Sequence, residues 1–167
     1  MGSEMCIRDS EYGVSAVAFS PSGTLLASAD DDGTVRLWDS GTGQLVHVLH
    51  ATSPQGGVRE VAFSPNGKLL ASADGDGTVR LWNPATGQPV GVPIPADTTP
   101  DSAVLAVAFG PSSHLLTSGA NDGRVRLWLW QVSAFMNPYG TLCADVGAPT
   151  WQEWKQYAAG EPRPHVC

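Results

Sequence analysis

Apolar and polar residues alternate along this chain in short runs, each closed by a turn signal. The run Thr34-Val35-Arg36-Leu37-Trp38 reads as a strand presenting different residues to its two faces. Asp32-Gly33 ahead of it supplies a tight hairpin turn, in which glycine takes a positive φ at no steric cost. Nearly the same phrase returns twice, as Asp76-Gly77-Thr78-Val79-Arg80-Leu81-Trp82 and Asp122-Gly123-Arg124-Val125-Arg126-Leu127-Trp128, at spacings of 44 and 46 residues. A period of that length signals a repeat architecture.

The repetition extends well beyond the phrase. Residues 17–38 and 61–82 are identical at 19 of 22 positions, and residues 107–128 match the second copy at 13 of 22. Each unit opens with Val-Ala-Phe, passes a Pro turn, continues as Leu-Leu-Ala-Ser or Leu-Leu-Thr-Ser, and enters the Asp-Gly hairpin. The pattern predicts four strands in the first unit, a to d, at residues 14–19, 25–29, 34–38 and 45–49. Ser20-Pro21-Ser22-Gly23 and Ser64-Pro65-Asn66-Gly67 place Pro and Gly where a type I turn prefers them. In the second unit strand d falls at residues 89–94 and contains two prolines, which cannot donate to a ladder, so it is predicted at an outer edge.

These motifs resemble the tryptophan-aspartate (WD) repeat family, over about residues 14–132. The resemblance implies an all-β fold in which each unit is a four-stranded propeller blade: here a partial β-propeller of three blades, at about residues 14–49, 58–94 and 104–132. Leu129 stands where Asp or Asn follows Trp in the other copies, and no Thr-Gly turn succeeds it, so the last blade is expected to lack its outer strand. The resemblance also implies that the loops from strand d to the next strand a, with the b–c hairpins, form a face where protein partners dock.

Both ends depart from the repeat. Residues 1–10 resemble translated adapter or cloning remnants and are set aside as a non-native or disordered leader. From Ser133 onward the period becomes helical. Asn137-Pro138 and the Thr150/Glu153 capping box open two short helices, and Trp151, Trp154 and Tyr157 share one face. Residues 133–167 are thus expected to form a short C-terminal helical cap, similar to caps of bacterial, especially actinobacterial, WD-repeat proteins.

Composition narrows the function. The net charge of −7, with nine Lys and Arg spread over the chain, argues against a nucleic-acid binder. No apolar run is long enough to span a membrane and no signal peptide precedes the first repeat, so the compartment stays open, with the cytoplasm as the default expectation. Cys6, Cys143 and Cys167 are too few and too irregular for a zinc site; Cys143 and Cys167 bracket the cap and are the one candidate disulfide pair. His47, His50, His114 and His165 fall at unrelated offsets, without ligand spacing. Neither a metal nor a cofactor is expected.

The family resemblance implies an internal hydrogen-bond network of a strand-b Ser, a hairpin Asp and the strand-c Trp. Here these are Ser28, Asp32 and Trp38; Ser72, Asp76 and Trp82; and Ser118, Asp122 and Trp128. A buried indole N–H and a buried carboxylate each require partners. The family's fourth member, a His, is absent: Ser10, Pro54 and Pro100 occupy its positions. Because each Ser and Asp recurs at a repeated structural position, they do not read as a unique catalytic triad. The carboxylates of Asp30-Asp31-Asp32 and Asp74-Gly75-Asp76 read as solvated turn residues, or as an acidic rim that steers a basic partner.

The favoured function is a non-catalytic scaffold for protein–protein interaction, present here as a fragment that self-associates through its open ends. The alternatives are a C-terminal sensor or regulatory propeller of a larger bacterial signalling ATPase or protein kinase, and, less favoured, a propeller hydrolase.

Overall fold

The structure, a computed structural model, describes residues 13–51, 56–99 and 102–129. The expected helical cap, Cys143 and Cys167, and the N-terminal leader lie outside these residues. Among the described residues twelve strands form: β1 Val14–Phe19, β2 Leu25–Asp30, β3 Thr34–Asp39, β4 Leu45–His50, β5 Val58–Phe63, β6 Leu70–Asp74, β7 Thr78–Asn83, β8 Gln88–Pro89, β9 Ile94–Pro95, β10 Val104–Phe109, β11 Leu115–Ala120 and β12 Val125–Leu129. They make three antiparallel sheets, one per repeat: β1-β2-β3-β4, then β5-β6-β7 with both β8 and β9 on β7, then β10-β11-β12.

Strand pairing sorts each sheet into two unlike faces. In the first sheet Leu26 lies opposite Trp38, and Ser28 opposite both Val17 and Arg36, so these side chains share one face with Phe19 and Asp30. The other face carries Ala27 and Ala29 opposite Leu37 and Val35. The second and third sheets repeat the register: Ser72 lies opposite Arg80, and Ser118 opposite Arg126. Each sheet thus has a face of methyl groups and a face bearing the Trp, Ser and Arg.

The sheets pack unlike face to unlike face. Ala27, Ala29, Val35, Leu37 and Leu49 of the first sheet join Val58, Val61, Leu70 and Trp82 of the second in one buried cluster. Burying a Val or Leu side chain stabilises by about 1.5–3 kcal/mol, so this contact carries much of the fold. Val58 and Val61 are both buried although they are three residues apart, which a regular strand would place on opposite faces. The pairing register shifts between Val58 and Glu60, and a bulge there resets the phase; Val14/Ala16 and Val104/Ala106 repeat it.

The outer strand of the second sheet departs from expectation. A continuous strand over 89–94 is replaced by two short bridges, Gln88 and Pro89 pairing with Asn83 and Trp82, and Ile94 and Pro95 pairing with Val79 and Thr78. The register slips by two residues between them, because Pro89 and Pro93 have no N–H to offer and Gly91 takes a φ of 78°. The detour lines a groove of about 440 Å³ against β4, bordered by Leu49, His50 and Trp82.

Candidate functional site

The polar side chains of each repeat converge on two small clusters. In the first, the strand-c indole donates to the strand-b hydroxyl: Trp38 Nε1 to Ser28 Oγ at 3.3 Å, Trp82 to Ser72 at 3.1 Å and Trp128 to Ser118 at 2.9 Å. All three serines are buried, and for the buried Trp38 and Trp82 the hydroxyl satisfies an indole that burial would otherwise leave without a partner.

The hairpin aspartates sit elsewhere. Asp32 Oδ1 accepts from the backbone N–H of Thr34 at 3.0 Å and from its hydroxyl at 2.6 Å, while Oδ2 takes Arg36 Nη2 at 2.8 Å. Asp76 repeats this with Thr78 and Arg80, and Asp122 pairs with Arg126 Nη2 at 2.5 Å. The sequence reading placed Asp32 and Asp76 beside the serines as buried carboxylates. The structure assigns that position instead to Asp30 and Asp74, which are in phase with Ser28 and Ser72 on strand b. Their exposures are 1% and 0%, whereas the side chains of Asp32 and Asp76 keep 18% and 33%.

The second cluster is therefore one arginine held between two aspartates. Arg36 bonds Asp30 and Asp32, and Arg80 Nη1 and Nη2 bond Asp74 at 2.6 Å and Asp76 at 2.8 Å. Ala120 occupies the equivalent of Asp74 in the third sheet, where Arg126 pairs with Asp122. Burial pushes Asp74 up to about 6 against the lowering influence of Arg80, and raises Asp30 in the same way. Burial also acts to raise Asp32 and Asp76, but hydrogen bonds from Thr and Arg outweigh it and both are lowered. Asp122 is lowered chiefly by its hydrogen bond from Arg126. The arginines and the inner aspartates were missed in the sequence; the recurring Asp-x-Asp-Gly-Thr-Val-Arg spacing was the available signal.

At the same end, the hairpins are tied to the strand-d to strand-a connections. The N–H of Ala51 donates to the carbonyl of Gly33, those of Ala96 and Asp97 donate to Gly77, and that of Gly75 donates to Gly57. The acidic surface is smaller than the sequence suggests, because most hairpin carboxylates are consumed by arginines. Asp31 is the most open of them, touching Ser15 Oγ at 2.7 Å and Arg59 at 3.5 Å. Among the described residues, no three His, Cys, Asp or Glu side chains are grouped as a metal ion requires. No helix among them is long and apolar enough to cross a membrane.

Sequential antiparallel sheets of up-and-down order, stacked face to face with an indole–hydroxyl pair in each, define blades of a β-propeller. The chain belongs to the WD domain, G-beta repeat (WD40) family, whose model matches residues 4–39, 43–83 and 93–128. Among solved structures it is similar to U3-55K and to the RRP9 WD40 repeats, each at 25% identity and a TM-score of 0.65 over 73% of this chain. The chain spans 37% of the length of those chains. Comparison with curated proteins gave no match.

Proposed function

We propose that this chain is a non-catalytic platform for protein partners, which dock at the end where the b–c hairpins meet the strand-d to strand-a connections. The observation that supports this reading is the fate of the reactive-looking groups. The serine hydroxyls hold indoles and the hairpin carboxylates hold arginines, each at a repeated structural position rather than in one converging set. What this end offers a partner is backbone-braced loop surface with a residual acidic spot at Asp31, suited to a basic contact.

The test is affinity capture with a variant whose residues 52–55 are exchanged for Gly and Ser. Ala51 and Gly57 are kept, because both brace the hairpins through backbone hydrogen bonds. Loss of a captured partner with that exchange and with Asp31→Asn, but not with Asn66→Lys in a strand-a to strand-b turn, supports the docking face. Capture unchanged by the first two variants overturns it.

A further inference from the structure

The turn between β5 and β6 carries a dipeptide that occurs once in the sequence, Asn66-Gly67. The first repeat has Ser22-Gly23 at the same place in an equivalent turn, where the Gly23 N–H donates to the Ser20 carbonyl at 2.8 Å. Of the other asparagines, Asn83 and Asn137 precede proline, whose nitrogen bears no hydrogen, and Asn121 precedes the bulkier Asp122. Asn66 is thus the one asparagine whose carboxamide is followed by the unhindered N–H of a glycine. The folded turn ties these groups down. The Gly67 N–H donates to the Ser64 carbonyl at 2.8 Å, and Asn66 Oδ1 accepts from Ser64 Oγ at 2.8 Å and from the Lys68 N–H at 3.0 Å. The Asn66 N–H donates to Ser113 Oγ, in the matching turn of the third sheet, at 3.1 Å. Ser64 is fully buried while Asn66 is exposed, so solvent reaches the carboxamide but the carboxamide is held away from the glycine nitrogen.

We propose that Asn66-Gly67 is a deamidation site that the turn holds closed, so that the modification marks chains in which this turn has opened. In the opened turn the Gly67 N–H gives its proton to a solvent base and the nitrogen attacks Asn66 Cγ. The new N–Cγ bond closes a succinimide as the Cγ–Nδ2 bond breaks, and the amide nitrogen leaves as ammonia, taking a proton from water. A water molecule then opens the ring at either carbonyl, leaving aspartate or isoaspartate at this position. Isoaspartate puts an extra methylene into the main chain, which displaces the groups that bonded Lys68 and Ser113 and keeps the turn from closing as before. Because the reaction proceeds from the open turn, its rate in the folded chain is the rate of the unfolded chain scaled by the fraction of time the turn is open.

The experiment incubates the full 167-residue chain at mildly alkaline pH, folded or in guanidinium, and follows deamidation by mass spectrometry of residues 60–68, which trypsin releases by cutting after Arg59 and Lys68. The folded chain should deamidate at least about tenfold more slowly than the unfolded one. Ser64→Ala, which removes the hydroxyl that holds Oδ1, should recover several-fold of that difference while keeping the circular dichroism of the original. Should Ser64→Ala fail to fold, Ser113→Ala takes its place: it removes the acceptor of the Asn66 N–H from a half-buried position and should raise the folded rate about twofold or more. Asn66→Ser, the residue of the first repeat, should abolish the mass gain in this peptide. Equal rates in the folded and unfolded chain, or folded variants that deamidate no faster than the original, would overturn the proposal.

Discussion

The carboxylate of Glu60 accepts a hydrogen bond at 2.8 Å from the backbone N–H of Val107, joining the second blade to the first strand of the third. The equivalent positions in the other repeats are Ala16 and Ala106, so this polar tie belongs to the middle repeat alone. Val107 is buried, and its N–H would lose a charged acceptor without gaining free access to water. Glu60→Ala should destabilise by about 1–3 kcal/mol in urea unfolding, and Glu60→Gln, which keeps an acceptor, by clearly less. Equal losses from the two variants would show that the hydrogen bond is not what holds the blades there.

Asp74 gives the fold a pH dependence of unusual sign for a carboxylate in an ion pair. Its carboxyl is raised from 3.8 to about 6 in the folded chain, so the folded form binds the proton more readily than the unfolded one. The stability this contributes is fully present below about pH 4 and is lost as pH rises through about 6, on the order of 2–3 kcal/mol in all. The advantage of the original chain over Asp74→Asn should therefore shrink between pH 4 and pH 7 in chemical denaturation. A difference that stays constant over that range would contradict the assignment.

Gly77 and Gly123 occupy the same hairpin position with φ of 83° and 77°, yet their surroundings differ. A Cβ on Gly77 would lie 2.5 Å from the Asp97 carbonyl oxygen and 2.5 Å from Ser102 Oγ, while one on Gly123 meets nothing within 4 Å. Gly123→Ala should cost about 1–2 kcal/mol, the penalty of the left-handed backbone alone. Gly77→Ala should cost about 1–3 kcal/mol more, from overpacking against the braced loop. Thermal unfolding of the pair checks this, and similar midpoints would mean that the loop yields freely.

Ser72 and Ser118 hold their indoles at similar distances but not at similar depth. Trp82 is 5% exposed, whereas Trp128 is only partly buried. Ser72→Ala should cost about 1–3 kcal/mol because the Trp82 N–H loses its partner out of reach of water. Ser118→Ala should cost less than about 1 kcal/mol, since water can replace the hydroxyl. Urea midpoints that fall equally in the two variants would place the loss in the hydroxyl itself rather than in the buried indole.

Strand positions were legible because period-two alternation and Asp-Gly or Pro-Gly turns act locally; β1 to β4 fall within a residue of where the pattern puts them. The Trp82–Ser72 pairing was legible from the family resemblance. The bulges were not, since one extra residue at Arg59 leaves no mark in composition, and yet it decides that Val58 and Val61 bury together. Asp30 read as one of three turn carboxylates because strand b runs one residue longer than the pattern required. The alternation at Arg36 and Arg80 names no partner for either guanidinium, and only the fold shows each spanning two aspartates. In β8 and β9 the prolines announced an edge, but the two-residue slip depends on how the chain leaves that edge for the third repeat.

Since each repeat neutralises its own strand-c arginine and caps its own indole, the polar matching between neighbours comes down to a few ties, such as Glu60 with Val107, Arg59 with Asp31, Asn66 with Ser113 and His47 with Ala85. What passes between blades is mostly hydrocarbon drawn from positions that recur every 44 to 46 residues. A genetic exchange misaligned by one repeat, between the stretches encoding residues 17–38 and 61–82, would therefore insert or delete a whole blade with its junctions already complementary. Descendants of this gene should differ in length by whole repeats rather than by scattered residues.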